Sequence, residues 1–122
     1  MKSYLLIALA ALALVATAAP QRKTPQRPQR VSYAQLAPIF RKSCVGCHHG
    51  AKAAHGLDLS SYAALVKGDK EGKVIVGRNP AASRLSKAIH RHGAAPMPPA
   101  QPLPPREIAL IDGWIHSGSN PK

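Results

Sequence analysis

The residues with the clearest chemical potential form one short motif, Cys44-Val45-Gly46-Cys47-His48. Two cysteines separated by two residues and followed directly by a histidine are the pattern of covalent c-type haem attachment. The thiols of Cys44 and Cys47 would add across the haem vinyl groups, and the next side chain, His48, would then lie beneath the iron as its proximal ligand. The motif therefore predicts one covalently bound haem c.

Two other kinds of site use similar residues. A C-x-x-C pair alone is typical of thioredoxin-like dithiols, and near histidines it can form half of a zinc site. A dithiol would need a strand before the motif and a long helix after it, whereas here a helical stretch precedes the motif and a glycine-containing loop follows. A zinc site stays open as an alternative because other histidines could complete it: His49, His55, His90, His92 and His116.

A second segment with chemical potential is residues 94–105, which contain six prolines around Met97. Prolines fix the backbone without a hydrogen-bonded ladder, so the loop is stiff and can hold one side chain over a haem face. Met97 is therefore the predicted sixth ligand, a soft thioether that raises the reduction potential relative to a second imidazole. The alternatives are a gap-filling role for Met97 and ligation by His90 or His92.

The N-terminal residues 1–18 have the pattern of a cleaved export signal. Lys2 gives a positive start, residues 5–15 are an unbroken apolar run, and Ala16-Thr17-Ala18 is a small-residue cleavage site. The pattern predicts an exported protein, which in a bacterium means the periplasmic side of the membrane. The alternative is an uncleaved membrane anchor, although the run is short for about 30 Å of hydrocarbon.

Residues 19–30 form a spacer rich in proline, glutamine and arginine. It has no large apolar side chain to bury, so we expect it to be disordered. Its positive charges within residues 20–30 could contact an anionic membrane surface. No aromatic side chains are interleaved for base stacking, so the segment does not predict a specific nucleic-acid partner.

The elements that position the chemistry should be short helices in a domain spanning residues 31–122. Ser32 and Gln35 form a predicted capping box before a first helix whose apolar face includes Phe40. The run at residues 74–76 is too short to build a sheet. The other predicted helices run from Ser60 or Ser61 through Val66, from Asn79-Pro80 toward His92 with Gly93 closing it, and from Pro105 to His116.

The last of these helices carries the chain's single tryptophan, Trp114. Apolar residues recur on one stripe that includes Ile111 and Ile115, so the helix should pack on the core. Trp114 is predicted to lie in that core, near the haem pocket or the first helix. Gly113 is costly inside a helix, which predicts close approach of another element, most simply the first helix.

Taken in the order of the chain, several segments resemble the small monohaem cytochrome c domains of the planctomycete-type group. More broadly, they resemble the all-helical cytochromes c with His/Met ligation. The resemblance covers about residues 31–119. It rests on these segments: Cys44-Val45-Gly46-Cys47-His48, Gly56-Leu57-Asp58-Leu59 with Lys67-Gly68, residues 74–80 leading to Ser83 and Leu85, Met97-Pro98-Pro99, and Glu107-Ile108 through Trp114-Ile115.

The resemblance implies an all-α, small cytochrome c fold, with about four short helices packed around a covalently attached haem. It also implies that His48 and Met97 are the axial ligands of a one-electron carrier. The Pro104-Pro105 pair and the basic surface depart from the family's pattern. Both departures bear on the partner more than on the cofactor.

Charge and length bound the remaining functions. The formal net charge of +12 would become +11 once Lys2 leaves with the signal, and a basic surface favours redox partners with acidic docking faces. No nucleophile triad, paired catalytic carboxylates or phosphate-binding glycine loop is present, so no catalytic residue is predicted. The alternative function is a haem enzyme or gas sensor with an open sixth position, in which His90 or His92 would act as distal acid or base.

The domain has roughly ninety residues and can bury only a modest core by itself. An apolar porphyrin would supply much of its centre. We therefore expect the apoprotein to be poorly folded.

Overall fold

The computed structural model describes residues 30–93 and 95–122. The predicted signal peptide at 1–18 and all of the predicted spacer except Arg30 lie outside these residues. Within them the chain forms four α-helices and no strand, so the predicted all-α class is confirmed. The helices are α1 (Tyr33–Ser43), α2 (Tyr62–Lys67), α3 (Arg84–Ile89) and α4 (Pro105–His116), with short 3₁₀ turns at Gly50–Lys52, Ala54–Gly56 and Pro80–Ala82.

Helix α1 begins at the predicted cap. The Ser32 backbone N–H donates to Gln35 Oε1 at 2.9 Å, which satisfies one of the donors left free at a helix start. Leu36, Ile39 and Phe40 are buried on one face. The helix therefore packs on the core and delivers the chain to Cys44.

Helix α2 is short and has a cap at each end. Ser61 Oγ accepts from the Ala64 N–H at 3.2 Å, and Gly68 follows the last turn with a φ of 87°. A Cβ on Gly68 would overlap the Gly72 carbonyl. Glycine is therefore required at this helix end both for its left-handed backbone and for space.

The predicted helix from Asn79 toward His92 is divided into two pieces, and this corrects the sequence prediction. Asn79 Oδ1 accepts from the Ala82 N–H at 3.0 Å but caps only the 3₁₀ turn, and α3 begins separately at Arg84. The break lies at buried Ser83, whose Oγ donates to the Asn79 carbonyl at 2.8 Å and accepts from the Val76 N–H at 2.9 Å. These bonds hold Ser83 in an extended conformation. Helix α3 then ends at Ile89, before the predicted Gly93.

Helix α4 has the predicted bounds and packs on α1. Ile111, Trp114 and Ile115 are fully buried, and the Trp114 Nε1–H donates to the Asn120 carbonyl at 2.7 Å. A Cβ on Gly113 would lie 3.6 Å from the side chain of Val31, which precedes α1. This is an ordinary van der Waals contact, so the predicted close approach of the first helix at Gly113 is not found. None of the helices in the described ranges is long and apolar enough to cross a bilayer.

Candidate haem-binding site

The Cys44–His48 motif forms a tight turn directly after α1. The Cys44 N–H donates to the Phe40 carbonyl, and the His48 N–H donates to the Cys44 carbonyl, both at 2.9 Å. His48 is buried, Cys44 is half-buried and Cys47 is exposed. The turn directs all three side chains to one cavity.

The imidazole of His48 is oriented by a backbone carbonyl. Its Nδ1 lies 3.2 Å from the Leu57 oxygen, and the Leu59 N–H donates back to the His48 carbonyl at 2.9 Å. A carbonyl oxygen only accepts hydrogen bonds, so Nδ1 carries the proton and Nε2 keeps its lone pair. This is the arrangement by which metal-ligating histidines are usually held.

The cavity has a volume of about 560 Å³ and largely apolar walls. Its volume lies within the range of about 300 to 1,000 Å³ usual for small-molecule and cofactor sites. The predicted residues Cys44, Cys47, His48 and Met97 all line it. The apolar lining is Ala54, Leu57, Leu59, Val74, Leu85, Ala88, Ile89, Ala95, Pro98 and Pro99, and the polar lining is Ser43, His55, Asp69, Lys70, Glu71 and Arg84.

Met97 reaches the cavity from the proline-rich loop. Its side chain is half-buried, and its backbone N–H donates to the Ala88 carbonyl near the end of α3 at 3.0 Å. The loop is therefore attached to α3. The His48 imidazole and the Met97 thioether thus line one cavity although they come from segments far apart in the chain.

The rival ligands His90 and His92 lie elsewhere. His90 Nε2 is 2.6 Å from Asp112 Oδ2, and the rings of His90 and His92 are stacked with centroids 5.9 Å apart. Both line a separate surface cavity of about 620 Å³. Neither residue lines the cavity that holds Cys44 and His48.

The zinc alternative needs several metal-binding side chains in one place. Within residues 30–93 and 95–122, no group of three or more His, Cys, Asp or Glu side chains is arranged to hold a metal ion. Burial raises the pKa of the Cys44 thiol to about 11, and the negative charge of Glu107 adds to this shift. Since reactive dithiols need a lowered pKa, this environment does not suit the thioredoxin-like interpretation either.

Trp114 is a core residue but does not line the cavity. Its ring packs against Tyr33 and Tyr62, with centroids 6.1 and 6.3 Å away. The predicted position near the first helix therefore agrees with the structure, and the predicted packing in the haem pocket does not. The reason is the Trp114 bond to Asn120, which directs the indole toward the C-terminal segment.

A charged cluster on the cavity rim was missed by sequence reasoning. Arg84 Nη2 and Nη1 donate to Asp69 Oδ1 and Oδ2 at 2.7 and 2.8 Å, and Nη1 also donates to Glu71 Oε2 at 3.2 Å. The hydrogen bond from Arg84 lowers the pKa of the Asp69 carboxyl below its usual value. One feature of the sequence pointed to this cluster: the chain has only five acidic residues, and two of them, Asp69 and Glu71, lie in this turn.

Comparison with protein families gives an independent assignment. Residues 44–101 match the family described as Planctomycete cytochrome C. Comparisons with curated proteins and with solved structures found no significant match. Residues 44–101 therefore form a domain of the planctomycete cytochrome c family, and its residues Cys44, Cys47 and His48 imply covalently bound haem c.

Proposed function

We propose that this protein is an exported one-electron carrier with one haem c, attached through Cys44 and Cys47 and ligated by His48 and Met97. The observation that carries the proposal is that these four side chains, from two distant segments, line the same apolar cavity. When bound, haem c supplies an iron that alternates between the ferric and ferrous states.

The chain's own residues are suited to hold that group. His48 presents Nε2 because Nδ1–H is bonded to Leu57. Met97 offers a neutral thioether, a donor that favours the ferrous state. Leu59, Leu85 and Ile89 are buried in the cavity wall and would keep water from both ligand positions.

The alternative of an enzyme or gas sensor requires an open sixth position and a distal acid or base. His90 and His92, the candidates for that role, line the other cavity. Of the remaining histidines, His55 lies at the wall of the haem cavity and is exposed. This placement supports a carrier in which Met97 occupies the sixth position.

Carbon monoxide binding separates the two functions. The reduced wild-type holoprotein should not bind carbon monoxide, because both axial positions are filled. Met97→Ala should bind it readily, whereas the matched control His55→Ala should behave like wild type. Rapid, tight binding by wild type would contradict the carrier proposal and favour the enzyme or sensor.

Export and partner choice are part of the same proposal. Residues 1–18 support export, and contact between residues 20–30 and an anionic membrane would keep the carrier near its partners. The exposed residues Cys47, His55 and Lys70 line the cavity. The exposed Lys70 at this opening and the chain's formal net charge of +12 favour a redox partner with an acidic docking face.

Ionic strength tests the proposed partner class. We expect the rate of electron exchange with an acidic redox protein to fall as salt is raised. Lys70→Glu at the cavity rim should slow exchange more than Lys67→Glu, an exposed control at the end of α2 that does not line the cavity. A rate indifferent to salt would rule out an acidic docking face.

A further inference from the structure

The end of α3 and the turn that follows it hold the Met97 loop at two adjacent points. The Met97 N–H donates to the Ala88 carbonyl at 3.0 Å, and Arg91 Nη1 donates to the Pro98 carbonyl at 3.0 Å. The first bond attaches the residue that carries the thioether, and the second attaches its neighbour. Together they fix the Met97-Pro98 unit relative to α3.

The rest of the loop offers little to replace these bonds. Prolines lack the N–H group, so this sequence cannot build its own backbone ladder. In the described stretch 95–103 the bonds to Ala88 and Arg91 are the two hydrogen bonds found. Of the two, only the bond from Arg91 comes from a side chain, so a substitution can remove it.

The backbone of Arg91 points to a use for its side chain. Arg91 has a φ of 60°, in the left-handed region. That conformation is unfavourable for a residue with a Cβ and is readily adopted by glycine. An arginine at a position that glycine would occupy more cheaply is consistent with a role for the guanidinium, here a charge-assisted bond to the Pro98 carbonyl.

We propose that Arg91 is a positioning residue that holds Met97 in place as the sixth ligand. The inference rests on the proposed function, because it assumes that Met97 is that ligand. Arg91 acts through Pro98 and does not line the haem cavity, whereas Pro98 and Met97 both do. Loss of the guanidinium should leave the loop free to move away more often, which exposes the sixth position to competing ligands.

The test is an imidazole titration of the oxidised holoprotein, followed by the sulfur-to-iron charge-transfer band. Arg91→Ala should keep the band without imidazole but lose it at about threefold to tenfold lower imidazole concentration, the range that corresponds to one net hydrogen bond. Arg91→Lys should recover part of the difference, because an ammonium group can also donate. Lys87→Ala is the matched control: it removes one exposed positive charge from α3, close to Arg91 in the chain, and should leave the midpoint unchanged.

Arg91→Gly separates the effect of losing the side chain from the effect of the left-handed backbone conformation. Glycine relieves the left-handed conformation but also removes the guanidinium, so it should titrate like Arg91→Ala. A wild-type midpoint in either Arg91→Ala or Arg91→Gly would overturn the positioning role. Failure of the underlying function gives a different result: the wild-type protein itself would lack the charge-transfer band and share its spectrum with Met97→Ala.

Discussion

The two segments that supply the proposed axial ligands are constructed differently. On the His48 side, hydrogen bonds join residues close in sequence: Cys44 to His48, His48 to Leu57, and Leu59 back to His48. On the Met97 side, the bonds are equally close in sequence, Met97 to Ala88 and Arg91 to Pro98. They attach the loop to α3 and to the turn after it, and α3 in turn packs on α4. Bonds within one short stretch therefore hold the proximal position, whereas the distal position also depends on the packing of α3 against α4.

This difference predicts which of the two proposed ligands should be lost first when the protein is destabilised. The His48 segment can keep its geometry as long as one short stretch stays folded. The Met97 loop needs the end of α3, and Ser86 and His90 of that region are bonded to Asp112 of α4 at 2.7 and 2.6 Å. We therefore expect loss of the distal ligand to leave the fold largely intact, and loss of the attachment cysteines to remove it.

The largest effect should come from Cys44→Ser with Cys47→Ser. This double variant should lose covalent haem and its near-UV dichroism, because much of the centre of a domain this small is the haem cavity. Acid-acetone extraction followed by circular dichroism measures both. As a control, His90→Ala with His92→Ala should retain haem, since neither residue lines the cavity. A colourless double-cysteine variant with native near-UV dichroism would contradict the central role of haem in folding.

The second largest effect should come from a core residue that lies outside the cavity. Trp114→Ala should lower the free energy of unfolding by about 3–5 kcal/mol, because a fully buried indole is removed. The visible spectrum of the folded protein should stay unchanged, and Trp114→Phe should cost less. Chemical denaturation followed by far-UV dichroism gives the free energy. An altered charge-transfer band in Trp114→Ala under native conditions would show that packing around Trp114 affects the ligands of the iron.

Met97→Ala should have a smaller effect on stability and a larger one on the iron. Met97 is half-buried, so we expect a loss of about 1 kcal/mol, together with a lower reduction potential and loss of the charge-transfer band. Potentiometry and near-infrared absorption measure these changes. An unchanged potential and band would show that another side chain is the sixth ligand.

The smallest effect concerns the Asp69–Arg84 pair at the rim. The pKa of Asp69 is lowered in the folded protein by its bond to Arg84, so the pair stabilises the fold above the ordinary aspartate pKa of about 3.9. That contribution is lost as the pH falls through the lowered pKa. Wild type should therefore lose more stability than Asp69→Asn between about pH 5 and pH 3, measured by thermal melts.

The exposed Glu71 provides the control for this titration. Glu71→Gln should follow the wild-type pH profile closely, because the Glu71 side chain is 77% exposed and screened by solvent. Identical profiles for wild type and Asp69→Asn would mean that the pair contributes no measurable stability.

The sequence predicted features that depend on neighbouring residues. The Ser32–Gln35 cap, the bounds of α4 and the turn at Cys44–His48 all follow from local patterns. The all-α class was implied by the family resemblance, and the apolar run at residues 74–76 was too short to contradict it.

The features that could not be predicted depend on side-chain bonds that form only in the folded loops, even where the partners are close in sequence. Ser83 breaks a plausible helix because its hydroxyl bonds to Val76 and Asn79 once the chain is folded. No periodicity in the sequence encodes the loop conformations that allow the Asp69–Arg84 ion pair and the hydrogen bond from Arg91 to Pro98. Trp114 was correctly assigned to the core, but its direction is set by a bond to Asn120 beyond the end of α4.

The most direct test of covalent haem attachment and Met97 ligation is the absorption spectrum of the holoprotein, oxidised and reduced, repeated after denaturation and acid-acetone extraction. We predict haem that stays with the chain, sharp low-spin reduced bands, and a weak sulfur-to-iron charge-transfer band in the oxidised form. A high-spin spectrum would contradict Met97 ligation and favour an open sixth position. A colourless chain, or haem removed by extraction, would contradict covalent attachment through Cys44 and Cys47.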